Sequence, residues 1–278
     1  MKRAFAFLLL GFVFLANAED LQPTKDAGPY VPSPQSVVAD MLRYADVGPD
    51  DFLIDLGSGD GRIVLTAAKV FGARGFGVEI KDELVRKANE AAQQEGVADR
   101  VKFLKQDLFK TDVSQASVIT MYLLPDTVNL LKDKFLNELR PGTRIVSHDY
   151  PLTGWIPEKY VQMDLDDKVQ ISGVTTTLIY LYVVPAKVDG EWRATMPPAV
   201  SRKPATLQLR QQLTRVSGSA RLDGREAPLE ELKLRGDKIS FRLAGRRGEF
   251  TGQVKGRSMQ GEMVNGRSKA PWSAALGG

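Results

Sequence analysis

Apolar residues fall at helical spacing through 35–45, where Val37, Val38, Met41, Leu42 and Ala45 share one face. Beyond them, short apolar runs alternate with amphipathic stretches. The runs 51–56, 75–80, 101–104, 118–122 and 143–147 predict strands. Between them, 61–71, 82–95 and 126–139 predict helices; Gly96 stops the second, and Pro141-Gly142 follows the third. The β-branched segments 169–171 and 176–184 predict two further strands, joined by so short a gap that only a hairpin fits. Strands alternating with helices predict a doubly wound, mostly parallel, Rossmann-like α/β sheet of seven strands.

After Pro185 the pattern changes to closely spaced alternating stretches, at 206–213, 218–222, 232–234, 239–243, 249–254 and 258–264. Turn signals such as Asp223-Gly224 and Asn265-Gly266 separate them, predicting an antiparallel β-meander or small, lipocalin-like barrel. At the other end, Met1-Lys2-Arg3 precedes an apolar run from Ala4 to Ala16, and Ala16-Asn17-Ala18 fits a small-x-small cleavage site. That layout predicts a signal peptide over 1–18 and an exported, periplasmic or secreted protein. The expected organisation is therefore 1–18, an α/β domain over 19–185 opening on a Pro/Gly-rich arm, and a β-rich domain over 186–278.

Composition narrows the chemistry. The chain has no cysteine and one histidine, His148, which excludes disulfides, thiol nucleophiles and a histidine-rich metal site. The net charge of +4 is unevenly spread. Residues 186–278 carry 18 Lys+Arg against 9 Asp+Glu, whereas acids outnumber bases over 19–185. Such asymmetry points to two units with different partners.

The run Asp55-Leu-Gly57-Ser58-Gly59-Asp-Gly61-Arg62 follows the first strand and opens a helix. Glycines there let a ligand approach the main chain, and the helix start offers free N–H groups. A glycine-rich turn alone is a weak signal, shared with dinucleotide enzymes. Three carboxylates sharpen it. Asp55 sits where a phosphate would be repelled and an amino group welcomed. Glu79, at the tip of the second strand, suits ribose hydroxyls, and Asp107, after the third, suits an adenine amino group. Together they fit S-adenosylmethionine, which has no phosphate; the bland alternative is a set of turn and capping residues.

With those residues in place, the chain resembles the class I S-adenosylmethionine-dependent methyltransferases. The segments Pro29-Tyr30-Val31-Pro32, 55–63, Asp107-Leu108-Phe109, Met121-Tyr122-Leu123-Leu124-Pro125 and Arg140–Asp149 are similar to the mitochondrial lysine methyltransferases of the ATP synthase c subunit and the adenine nucleotide translocase. The resemblance covers roughly residues 29–185 and implies methyl transfer to a protein lysine. The cofactor-binding candidates are Tyr30, Asp55, Gly57, Ser58, Gly59, Gly61, Glu79, Ile80, Asp107, Leu108 and Met121. By resemblance, Tyr30 folds over the cofactor.

The acceptor side is expected around Tyr122, Pro125, His148 and Asp149, at the carboxyl ends of the fourth and fifth strands. Tyr122 either shapes the acceptor pocket or packs on the adenosine; His148 either moves a proton or is structural; Asp126 reads as a helix cap. Two other readings stay open: a small-molecule methyltransferase, and an exported S-adenosylmethionine-binding or interaction protein without turnover. The basic β-rich part shows no nucleic-acid module signature. It is a solvated barrel surface, a site for a protein substrate, membrane surface or other anionic partner, or a holder of an apolar ligand.

Overall fold

A computed structural model describes residues 29–277; the expected signal peptide over 1–18 lies outside the described residues. After an extended arm, α1 (Gln35–Tyr44) buries Val37, Val38, Met41 and Leu42. Five parallel strands follow in the order β3 (Val101–Lys105), β2 (Arg74–Glu79), β1 (Phe52–Leu56), β4 (Val118–Met121) and β5 (Arg144–His148). Then β7 (Thr176–Val183) pairs antiparallel with β5, and β6 (Lys159–Asp164) closes the edge against β7. Strand order reverses between β1 and β4, which opens a crevice at their carboxyl ends. One face is covered by α1, α2 (Arg62–Phe71) and α3 (Asp82–Gln94), the other by α4 (Pro125–Leu130) and α5 (Lys132–Glu138).

Three expectations need correction. The segment 169–171 is helical, within α6 (Asp166–Ser172), and the outer hairpin strand is β6 instead. The acids at the start of α6 and Gly173, left-handed at its end (φ 77°), are ordinary helix signals that outweigh three β-prone residues. β6 is hard to see because it is an edge strand, with only Val161 and Met163 turned toward the core. The helix expected over 126–139 is two helices: the Leu131 N–H reaches back three residues, to Val128 (3.3 Å), which tightens the turn and divides it. Asp126 lies in the first turn of α4, while Leu124 occupies the cap position, so it is no cap.

Beyond Val184 the chain forms a closed eight-stranded antiparallel barrel. Its strands are β8 (Gly190–Thr195), β9 (Ala205–Gln212), β10 (Arg215–Leu222), β11 (Arg225–Arg235), β12 (Lys238–Leu243), β13 (Glu249–Lys255), β14 (Ser258–Asn265) and β15 (Ser268–Leu276). Each pairs with its sequence neighbour, and β15 closes on β8. Trp192, Phe241, Phe250, Met259, Met263 and Trp272 fill the interior. Phe241 and Phe250 stack at 4.8 Å, and Trp272 meets both edge-on. Gly252 makes the room, since a Cβ there would come within 2.7 Å of the indole, and its cross-strand partner Gly261 lets the two backbones approach.

The barrel seats on the amino-terminal edge of the α/β sheet, opposite the crevice. The Ala186 N–H donates to the Gly236 carbonyl (2.8 Å), and Gly236 lies against Gly142 and Val183. Arg235 pairs with Glu158 at 2.6 Å, and Leu213 packs on the α4–α5 side of the sheet.

Candidate active site

The crevice is a cleft walled by the arm, the β1–α2 turn, the ends of β2 and β3, and the segment after β4. Gly57, Gly59 and Gly61 all have left-handed φ (78°, 53° and 82°), which favours glycine. Their surroundings give them separate tasks. A Cβ on Gly59 would lie 2.4 Å from the Tyr30 ring, so the arm closes directly onto this glycine. A Cβ on Gly61 would strike Phe103 and Ala88, so Gly61 serves the packing of α2, whereas Gly57 and Gly59 line the cleft.

Asp55 is 2% exposed and accepts a hydrogen bond from Thr120 Oγ1 (2.7 Å). Burial pushes its carboxyl up to about 7, against the pull of that hydroxyl. Glu79 accepts from the N–H groups of Gly59 (3.1 Å), Ile80 (2.9 Å) and Lys81 (3.1 Å), which fix the carboxylate at the rim. Asp107 accepts from Phe109 N (2.8 Å) and caps a 3₁₀ turn, with Leu108 beside it in the wall. Ser58 lines the cleft with its hydroxyl buried and, among the described residues, without a hydrogen-bond partner.

The arm is tied down at several points. Burial together with the nearby Asp60 carboxylate pushes the Tyr30 phenol up to about 12. Asp60 also pairs with Arg62 (2.7 Å), whose Nη1 donates to the Ser33 carbonyl (2.8 Å). Ser33 Oγ meets His148 Nδ1 at 2.8 Å.

His148 is fully buried, and burial pushes its pKa down to about 4, so it is neutral near pH 7. It lies behind the wall, with its ring against Tyr122 (centroids 3.9 Å apart), and holds the arm instead of facing the cleft. Asp149, at φ 62°, stands behind the same tyrosine and accepts from Tyr122 Oη (3.0 Å) and Leu178 N (3.0 Å). Lys168 clamps it with contacts of 2.8 and 2.7 Å, and also donates to the Thr176 carbonyl. Burial opposes ionisation of Asp149, but His148, Lys168 and the Leu178 N–H outweigh it and hold its carboxyl below the usual range.

Among the expected site residues, Tyr30, Asp55, Gly57, Ser58, Gly59, Glu79, Ile80, Asp107, Leu108 and Tyr122 line one cleft. Met121 does not: it is fully buried in the core. Pro125 is exposed at the first position of α4, outside the lining. Sequence reasoning missed Tyr150, which lines the cleft beside Tyr122, and Lys168. Tyr150 directly follows His148-Asp149 and was within reach of that signal; Lys168 lay hidden in a misread segment.

The lining fits S-adenosylmethionine. A buried carboxylate raised toward neutrality suits an ammonium group, an orphaned hydroxyl lies in the wall, and a glycine-floored cradle is roofed by an aromatic ring. Asp55 would hold the amino group, Glu79 the ribose hydroxyls and Asp107 the adenine amino group.

The ANTKMT methyltransferase domain family matches residues 55–159. A protein-lysine N-methyltransferase from Saccharolobus islandicus is 43% identical over 56% of this chain and 93% of its own length. A lysine N-methyltransferase of the ATP synthase c subunit, from Xenopus laevis, is 32% identical over 47% of this chain, which spans 57% of that relative's length. Among solved structures, an RNA methyltransferase from Salinibacter ruber, in complex with S-adenosyl-L-homocysteine, is 44% identical with a TM-score of 0.51, covering 57% of this chain and 96% of that one. Cleft chemistry, sheet order and relatives agree: the chain belongs to the ANTKMT methyltransferase family and is an S-adenosylmethionine-dependent methyltransferase.

Proposed function

We propose that the chain methylates the ε-amino group of a lysine in a protein partner, outside the cytoplasm. The observation that carries the acceptor is the wall after β4 and β5. Tyr122 and Tyr150 face one another there at 6.5 Å and 22°, and Asp149 braces Tyr122 from behind. An aromatic wall attracts a cationic amine and strips its water. The protein-lysine enzymes among the relatives support the same acceptor.

S-adenosylmethionine, when bound, supplies an electrophilic methyl group on a sulfonium. The protein aligns the acceptor nitrogen with it, and alignment provides much of the acceleration. The incoming ammonium must lose a proton from a free pKa of about 10.4. Among the described residues the acceptor wall offers no free base: Tyr122 is held protonated by burial and by Asp149, His148 is enclosed, and Asp149 is ion-paired. Desolvation between the tyrosines therefore lowers the amine pKa, and the proton leaves to solvent.

A second reading, an RNA acceptor, rests on the name of the Salinibacter ruber relative. Incubation with methyl-labelled S-adenosylmethionine and parallel pools of envelope protein and RNA separates the two. Label on lysine in protein, dependent on Tyr122, supports the proposal; label on RNA alone defeats it. The exported location rests on the apolar run after Met1-Lys2-Arg3. A protein recovered from the cytoplasm with residues 1–18 intact would overturn it.

A further inference from the structure

The barrel order sorts its connections into two sets. Those at 213–214, 236–237 and 256–257 lie at the end facing the α/β body, and those at 196–204, 223–224, 244–248 and 266–267 at the far end. The far loops carry Arg202, Lys203, Arg246, Arg247 and Arg267, every one exposed, against a single carboxylate, Asp223; in the adjoining strands Arg225 and Lys269 stand among Glu226, Glu249 and Glu262, the last paired with Lys269 at 3.6 Å. These loops form one surface: Arg246 Nη1 donates to the Val200 carbonyl (2.9 Å), and Ser201 Oγ meets Asp223 Oδ1 (3.3 Å).

We infer that this basic end of the barrel docks the enzyme on an anionic lipid surface. Five loop cations around the rim of a rigid barrel, against one loop acid, present a broad positive face, which is what headgroup attraction requires. The four loops contain no aromatic residue, so they lack the stacking platforms that hold single-stranded nucleic acid. The barrel seats on the edge of the sheet opposite the cleft, so this charge cannot guide an acceptor into the active site. Its partner is a separate surface, and docking leaves the cleft turned away from that surface, open to protein segments that stand off it. The inference does not depend on which acceptor the cleft takes.

The test is co-sedimentation of the full chain with phosphatidylcholine vesicles, with and without about one-third phosphatidylglycerol. The wild type is compared with R202E/K203E/R247E/R267E and with a barrel-wall control, R210E. At about fivefold in affinity per cation, the quadruple variant should bind anionic vesicles at least a hundredfold more weakly. R210E should bind like the wild type, and added salt should release both. S-adenosylmethionine binding should be unchanged in the quadruple variant, and a near-ultraviolet signal like the wild type's, with Trp192 and Trp272 in the barrel core, shows that the barrel is folded. Equal binding to neutral vesicles, retention by the quadruple variant, or tighter crown-dependent binding to duplex nucleic acid at the same salt would overturn the inference.

Discussion

Asp55 meets one hydroxyl and almost no solvent, so ionising it without a neighbouring cation is costly. Its folded pKa, about 7, lies above the ordinary value. Stability linked to this group is therefore present below pH 4 and lost as pH rises toward 7. Asp55→Asn should raise the stability of the ligand-free protein at pH 8 by on the order of 2 kcal/mol, while reducing S-adenosylmethionine affinity at least a hundredfold. Thermal melts and binding curves at pH 8 check both halves; a variant that binds normally would remove Asp55 from the site. In the wild type, affinity should fall as pH drops below about 7, because a protonated Asp55 no longer pairs with the amino group.

Lys168 is the opposite case. It is 1% exposed and shares both oxygens of Asp149, so removing its charge strands a largely buried carboxylate. Lys168→Met should cost about 3–5 kcal/mol in urea unfolding, more than most single substitutions. Wild-type unfolding energy within error would show that the pair contributes nothing. His148 adds an acid limit. Its folded pKa of about 4 lies below the ordinary value, so stability is lost as pH falls from about 6.5 toward 4, where the unfolded chain takes up a proton first.

Among the elements, the arm before α1 decides how the cofactor is enclosed. It is fastened by Ser33 to His148, by Arg62 to the Ser33 carbonyl and by Tyr30 to Gly59. Gly59→Ala puts a methyl group into the Tyr30 ring at a left-handed φ, so the arm must lift. S-adenosylmethionine should then dissociate at least tenfold faster in stopped-flow displacement, and Tyr30→Ala should show the same defect. An unchanged off-rate in both variants would mean the arm is no cover. The elements that build this site were legible in the sequence: the glycine turn, Glu79 and Asp107 follow apolar runs that only buried strands explain. What was illegible depends on pairing. β6 is half polar because one of its edges is unpaired, and the Asp149–Lys168 clamp joins an acid after β5 to a lysine on α6 through space alone. The barrel's glycines read as turn punctuation in sequence, whereas Gly252 sits inside a strand to admit Trp272, and Gly261 inside the next to let the β13 backbone approach.

At the scale of the whole molecule, an acidic α/β body with its cleft at one edge carries a basic barrel at the opposite edge. The barrel has its own aromatic core, and Trp272→Ala should destabilise it by about 3–5 kcal/mol. A core of its own should also let the α/β body keep its cofactor affinity in that variant. The most direct measurement is calorimetric titration of the protein with S-adenosylmethionine at pH 8, beside a Glu79→Ala variant. Micromolar binding by the wild type, lost in the variant, is the expected result. A folded wild type that does not bind, or a variant that binds equally well, would contradict the cofactor site described here.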